Sequence, residues 1–342
     1  MKFYLTLALL STIYLSIINF FLKKIDFSLD KESVNEKHKS LLRTNNFTPL
    51  SGTFYFLPII LVLFYKIEPT IIIFCSLFFI LGLFSDLKII NSYKLRLFLQ
   101  LLFLSFLFFI IEDISISTRI KFVDGLMNYN LTRVLICTFF FMVLINGFNF
   151  IDGANCLCPL NFLIISIFIY LLINSTNINY INQELNILII SLFIFLLLNF
   201  FGKNFLGDGA AYGLGFLFGY ILVKISLINS TISPYFIANL LWYPAFENLF
   251  SILRRNFLQK NNYLPDNNHL HQLIFKYLKK NNFIKTNFLR SSFVGIIINL
   301  ILLLNFSTGY TYYNNTMVQI TLIMSGVSLY LISYYYLTKK LK

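Results

Sequence analysis

VLICTFFFMVLI (residues 134–145) runs straight into NGFNFIDGAN (146–155), and a second apolar run, LNFLIISIFIYLLI (160–173), begins a few residues later. Three amides, Asn146, Asn149 and Asn155, and one carboxylate, Asp152, therefore share a short gap between two greasy segments. Turning the chain needs none of them. A polar or ionisable group at the edge of a bilayer costs a few kcal/mol to place there, so such a cluster reads as functional.

The rest of the chain agrees with a membrane setting. Hydrophobic residues make up 58% of it and charged residues 12%, with a mean hydropathy of +0.75. A soluble domain is about a quarter charged. The net charge of +13 is the excess of Lys and Arg that marks cytoplasmic loops in a multi-span protein. No basic-aromatic module points to nucleic acid. Cys75, Cys137, Cys156 and Cys158 read as small buried residues. Cys156 and Cys158 form a bare C-x-C without a partner pair at zinc spacing. Residues 3–22 are too long for a signal h-region and carry no small-x-small cleavage site, so they read as a retained first span.

Crossing a bilayer as a helix takes about 20 mostly apolar residues. That measure predicts an all-α polytopic bundle of 10–11 spans, at 3–22, 50–67, 69–84, 95–111, 133–150, 157–174, 185–201, 211–229, 235–252, 289–306 and 318–337. Residues 112–130, with Glu112, Asp113 and Asp124, read as a short hairpin. The whole chain, 1–342, forms one membrane domain. With the N-terminus outside, loops 23–49, 85–94, 151–156, 202–210 and 253–288 and the C-terminus are cytoplasmic. All but six of the 27 Lys and Arg residues then lie on that side, the exceptions being Lys2, Lys66, Arg119, Lys121, Arg133 and Lys224. This asymmetry sets the orientation.

The cytoplasmic gaps also carry the chemistry. The second holds Ser85, Asp86 and Lys88, then Lys94 and Arg96. The fourth reads FLGDGAAYGLG (205–215), with Asp208 among small residues just before a span. Small residues let a phosphate or metal approach the backbone, and a helix N-terminus favours anions. A carboxylate in that place suits Mg²⁺, which takes one or two carboxylates plus substrate phosphates. Gly215 and Gly219 form a G-x-x-x-G and read as close helix packing. The fifth gap opens with Arg254 and Arg255 and contains PDNNHLHQ (265–272), with His269 and His271 as H-x-H. Two histidines without a third ligand make a poor zinc site; beside so many cations they suit phosphates or sugar hydroxyls. Glu247 and Pro244 lie inside the preceding span, where Glu247 either pairs with a neighbouring helix or lines the cavity. Three carboxylates, amides and cations on one membrane face are the inventory of phosphoryl transfer to a lipid phosphate.

The motifs resemble the polyprenyl-phosphate N-acetylhexosamine-1-phosphate transferase family, of the glycosyltransferase 4 type. Its O-antigen and enteric-antigen initiating branch is nearer than its phospho-muramyl-pentapeptide translocases. The resemblance rests on N-x-x-N-x-x-D-G at Asn146, Asn149, Asp152 and Gly153, on F-L-G-D-G-A at 205–210, and on P-D-x-x-H-x-H at 265–271, in order and on one predicted face. A degenerate first-loop signal, Thr48-Pro49-Leu50-Ser51-Gly52, accompanies them. It implies transfer of a sugar-1-phosphate from a UDP-N-acetylhexosamine to undecaprenyl or another polyprenyl phosphate, releasing UMP. The setting is the cytoplasmic face of a bacterial inner membrane, in lipopolysaccharide or capsule-like cell-wall biogenesis. The cofactor implied is Mg²⁺, with Mn²⁺ as a substitute; a homodimer stays open.

Carried over by motif, Asp208 would be a metal ligand with Asn149 beside it. Asp86, Asp152 and Lys94 would be the catalytic set. Asp86 would lie nearest the lipid phosphate and Lys94 would meet the diphosphate. Asn146, Asn155, Lys88, Arg96, Arg255, His269 and His271 would bind substrate. The family usually has two adjacent acids in the second gap; here the first is Ser85. That departure keeps a catalytically degenerate scaffold as an alternative. A transporter or flippase, the other alternative, should show paired broken helices and repeated halves, and neither is visible.

Overall fold

The computed structural model describes residues 2–24, 50–64, 69–112, 114, 118–178, 181–257 and 268–341, and every regular element among them is helical. In chain order these are α1 (Lys2–Lys24), α2 (Ser51–Phe64), α3 (Pro69–Asp86), α4 (Tyr93–Ile110), α5 (Lys121–Met127), α6 (Asn130–Ile151), α7 (Leu157–Ser175), α8 (Asn182–Phe200), α9 (Gly207–Ile228), α10 (Pro234–Phe257), α11 (Leu270–Lys280), α12 (Asn287–Thr311) and α13 (Thr316–Leu341). In hydrocarbon every backbone N–H and C=O must be paired within the protein, and a helix does this segment by segment.

Eight of these helices are long and apolar enough to cross a membrane: α3, α4, α6, α7, α8, α9, α12 and α13. The apolar parts of α1 and α2, Thr6–Leu22 and Ser51–Phe64, are shorter. The 24-residue α10 carries Glu247, Arg254, Arg255 and an internal Pro244. Each expected span coincides with a helix. In place of a hairpin, the described part of 112–130 holds the short helix α5, with Asp124 Oδ1 accepting from the N–H and hydroxyl of Thr118.

The bundle is built around α9, which is buried along nearly its whole length. Lipid tails are as apolar as leucine, so helices in a membrane associate through close packing and interhelical hydrogen bonds. Both are present. A methyl on Gly82 would lie 2.4 Å from the Gly209 backbone, and one on Gly213 would lie 2.1 Å from the Phe79 ring, so α3 and α9 touch through their glycines. Gly215 and Gly219 face Phe148 and Leu144 of α6, as their spacing predicts. Gly147 of α6 lies against the Pro244 carbonyl of α10. Elsewhere Asn299 Nδ2 donates to the carbonyls of Cys156 and Leu157, and Gln319 Nε2 to those of Gly309 and Tyr312. The four cysteines are buried thiols. Leu9, Val62, Phe109, Leu304 and many other large apolar residues are exposed, as side chains that meet lipid.

Hydrogen bonds between loops define the two ends of the bundle. At one end Ser233 N–H donates to Tyr313 O, and Arg119 to Thr316 and Ser230. At the other, Gly52 N–H and the Ser51 hydroxyl both donate to Phe205 O, Cys156 N–H to Asn199 Oδ1, and the Ser292 hydroxyl to Phe200 O. Every cluster singled out in the sequence lies at this second end. Thr48 and Pro49, and Pro265, Asp266 and Asn267, fall outside the described residues.

Candidate active site

The turn after α8 enters α9 through Gly207, whose φ of +79° costs an L side chain but not glycine. The helix starts four residues earlier than its apolar run, which puts Asp208 in its first turn. The first N–H groups of an α-helix have no intrahelical acceptor. Here three of them are taken by carboxylates. Gly207 N–H donates to Asp152 Oδ2 at 3.1 Å; Asp208 and Gly209 N–H donate to Asp86 Oδ1 and Oδ2, each at 3.2 Å. Asp152 is the C-cap of α6 and Asp86 the last residue of α3. Each carboxylate sits where its own helix dipole disfavours it and where the positive end of α9 favours it.

The Asp208 carboxylate has a different partner. Ser85 Oγ donates to Asp208 Oδ2 at 2.6 Å, and Arg96 Nη1 lies 3.1 Å from the same oxygen. The guanidinium also donates to Ser85 Oγ. Ser85 and Arg96 flank one turn, in which Lys88 takes a left-handed φ of 59° and Ile89 N–H returns to Phe84 O at 2.9 Å. The Ser92 hydroxyl caps α4 by accepting from Leu95 N–H.

A stripe of polar side chains descends from this point along α6 at a spacing of three. Asp152 reaches α9, and Asn149 Nδ2 donates to Tyr212 Oη at 3.0 Å, one turn of α9 beyond Asp208. Asn146 Nδ2 donates to Gln100 Oε1 at 2.7 Å and to Met142 O at 2.8 Å. Asn146 therefore ties α6 to α4. Asn155 is buried against α12, where Ser291 accepts from its N–H at 2.8 Å, and its amide nitrogen packs beside Gly202.

The α6–α7 turn joins the acidic cluster to the H-x-H segment. Gly153, next to Asp152, faces His271, and a methyl there would lie 2.3 Å from Nε2. The His271 ring stacks on His269, with centroids 5.5 Å apart. It is fully buried, and among the described residues neither ring nitrogen has a hydrogen-bond partner. Burial pushes its pKa down to about 3, and His269 adds to the depression, so the ring is neutral. His269 caps α11, its N–H held by Gln272 Oε1 at 3.1 Å. Its Nδ1 lies 2.8 Å from Glu247 Oε1 and 3.3 Å from Ser251 Oγ. Tyr330 of α13 donates to Glu247 Oε2 at 2.8 Å. Of the two expectations for Glu247, pairing with neighbouring elements is the one observed. Arg255 lies over the Phe150 ring at 5.7 Å. Arg254 donates to Asn268 O at 2.6 Å and stacks on Tyr334 and Phe250.

The predicted residues thus gather into one rim, in two parts. Asp86, Asp152, Asp208, Asn149 and Arg96 meet at the start of α9, with Lys88 and Lys94 exposed on the adjoining turn. His269, His271 and Arg255 meet at the α6–α7 turn. Asn146 and Asn155 are brought instead into helix-packing contacts. The glycines around Asp208 also do something other than the sequence suggests. A methyl on Gly209 would lie 2.2 Å from Thr53 Oγ1, and one on Gly52 would lie 2.2 Å from Leu206 O, so they admit helices and not a ligand. Nor is the α9 N-terminus open to phosphate, since Asp86 and Asp152 hold its amides. The sequence reading missed Gln100, Tyr212 and Tyr330, whose only signal is that each is polar inside an apolar run.

The donor chemistry at this rim fits a hard divalent cation. Asp208 offers a carboxylate, and Mg²⁺ characteristically takes one or two of these together with substrate phosphates. No protein-only cage is present: among the described residues no three His, Cys, Asp or Glu cluster as a metal site. The fit is thus to a metal that arrives with a phosphorylated substrate, at an oxygen already bonded to Ser85 and Arg96.

Residues 69–226 match the family model described as glycosyl transferase family 4. The matched stretch runs from α3 to the end of α9. It contains the whole acidic cluster but not the H-x-H segment. The chain is similar to that family over this stretch, which lies among membrane-length helices. No curated protein matches the chain.

Proposed function

We propose that the protein transfers an N-acetylhexosamine-1-phosphate from its UDP-sugar to a polyprenyl phosphate and releases UMP, at the cytoplasmic face of a bacterial inner membrane. The observation that carries this reading is the convergence of Asp86, Asp152 and Asp208 on the first turn of α9. They sit at one end of a membrane bundle, beside Lys88, Lys94 and Arg96. The family match over α3 to α9 supports the same class.

In this reading a phosphate oxygen of the lipid attacks the β-phosphorus of the donor. A P–O bond forms there, the bond from the β-phosphorus to the bridging oxygen breaks, and UMP leaves with its electron pair. The second pKa of a phosphate monoester is near 6, so the nucleophile is already largely ionised at neutral pH and needs no strong base. That suits Asp86 and Asp152, whose oxygens accept backbone N–H groups; they hold the start of α9 in place and set the local charge. Bound at Asp208, with Asn149 nearby, Mg²⁺ would offset the charge of the diphosphate. Lys94, Lys88 and Arg96 neutralise charge on the transferring phosphoryl group. Arg255 and His269 serve the donor from the other side of the α6–α7 turn. His271 is enclosed and neutral, so we assign it to supporting Gly153.

The test is UMP release by detergent-purified protein with Mg²⁺, polyprenyl phosphate and a panel of UDP-N-acetyl sugars. Release with one sugar, abolished by chelation and by Asp208→Ala, is the expected result. A folded, monodisperse sample that releases none with any sugar would favour the second reading, a degenerate member kept as a scaffold. The capping of Asp208 by Ser85 and Arg96 is the observation that favours that alternative.

A further inference from the structure

Asp208 Oδ2 accepts from two donors at once, the Ser85 hydroxyl at 2.6 Å and the Arg96 guanidinium at 3.1 Å, and these two are bonded to each other. The triangle is closed: Arg96 donates to both oxygens, and the Ser85 hydroxyl donates its one hydrogen bond to the carboxylate. Its three members come from the end of α3, the start of α4 and the start of α9. The Asp208 side chain is 9% exposed and that of Arg96 24%. A charge-assisted bond in such a place is stronger than one in water. Asp86, beside Ser85, gives both oxygens to the α9 amides. Ser85 itself brings no charge. The guanidinium is thus the cation in contact with Asp208 Oδ2.

We propose that Arg96, seated by Ser85, is a built-in counter-cation that occupies the metal-binding oxygen of Asp208 until a phosphorylated ligand draws the guanidinium away. Arg96 then couples metal binding to phosphate binding. A divalent ion arriving alone must displace a bonded guanidinium and sit beside its positive charge. An ion arriving with a diphosphate does not, because the planar fork of Arg96 has phosphate oxygens to move onto. Metal and diphosphate should bind cooperatively, and by linkage each should raise the affinity of the other by the same factor. The choice of metal and of diphosphate rests on the transferase reading above.

The experiment is a Mn²⁺ titration of the purified full chain in detergent, followed by the paramagnetic resonance signal of free Mn²⁺, with and without UDP. In the native protein Mn²⁺ alone should bind weakly and UDP should tighten it. In Arg96→Gln, Mn²⁺ alone should bind about tenfold tighter or more, the scale of losing one charge-assisted competitor, and the gain from UDP should shrink. Ser85→Ala should shift affinity in the same direction by less. Arg96→Lys, which keeps the charge, should stay near native and serves where Arg96→Gln does not fold. Mn²⁺ affinity unchanged or weakened in Arg96→Gln and Ser85→Ala would overturn the proposal, as would a UDP effect equal in all variants. If native protein releases no UMP while Arg96→Gln still tightens Mn²⁺, the transferase reading fails and the counter-cation stands. UMP release with unchanged Mn²⁺ affinities is the reverse case.

Discussion

Glu247 Oε1 of α10 lies 2.8 Å from His269 Nδ1, and the carboxylate is fully enclosed, with Tyr330 on its other oxygen. This pair anchors the N-terminus of α11 to the bundle. Removing one member of a buried, hydrogen-bonded cluster leaves its partners unsatisfied and costs about 1–3 kcal/mol for each. Glu247→Ala should lower the melting temperature in detergent sharply. Tyr330→Phe, which removes one hydrogen bond, should cost about 1 kcal/mol. Equal melting temperatures for native protein and Glu247→Ala would show that the pair contributes nothing to the fold.

Gly153 faces the buried His271 ring, with no room for a methyl. The ring is stacked on His269 and cannot retreat freely. Overpacking of this kind costs about 1–3 kcal/mol. Gly153→Ala should therefore reduce both stability and transferase turnover. A double variant with His271→Ala should recover part of the stability lost. No recovery would place the role of Gly153 elsewhere.

His271 should also make stability pH-dependent. Its pKa in the folded protein is lowered to about 3 by burial, against about 6.5 in an unfolded chain. Above pH 6.5 both states carry the neutral ring, and its full contribution is present. As pH falls below 6.5 the unfolded chain takes up a proton that the folded one refuses. Stability then drops by up to about 1.4 kcal/mol per pH unit, towards pH 3. Thermal melts at pH 7, 6 and 5 should fall less steeply in His271→Gln than in the native protein. Parallel slopes would mean that the ring is protonated in the fold.

Asp86 offers a test of position against chemistry. Its two oxygens hold two α9 amides, whereas an asparagine has one oxygen to give. Loss of a capping contact costs about 1 kcal/mol. Asp86→Asn should thus lower the melting temperature modestly and turnover together. Turnover lost at native stability would instead make Asp86 a group acting in the proposed reaction itself.

Much of this was legible from residue order alone. Apolar runs of bilayer length oblige helices, because hydrocarbon offers the backbone no other partner, and eleven such runs became eleven helices. Gly215 and Gly219 pack as their spacing says, since a gap of four returns to the same helix face. Chain order also identified Asp86, Asp152, Asp208 and the H-x-H segment as the polar exceptions at one end. Partners were not legible. Arg96 and Asp208 are 112 residues apart, and Ser85 and Asp208 123 apart. No local pattern states how two helices are rotated about their axes, and that rotation selects which oxygen meets which donor. FLGDGA reads as an anion cradle, yet its amides face Asp86 and Asp152 and its glycines face Thr53 and α3. His271 reads as a ligand for phosphate, yet packing encloses it and removes its charge. Residue order was enough to place the apolar helices and the end at which chemistry gathers, though eight of those helices, not ten or eleven, are long and apolar enough to cross a membrane, because hydrophobicity and chain order are properties of residues. The neutral state of His271, the cap on α9 and the guanidinium on Asp208 come from packing, because each depends on a neighbour that folding supplies.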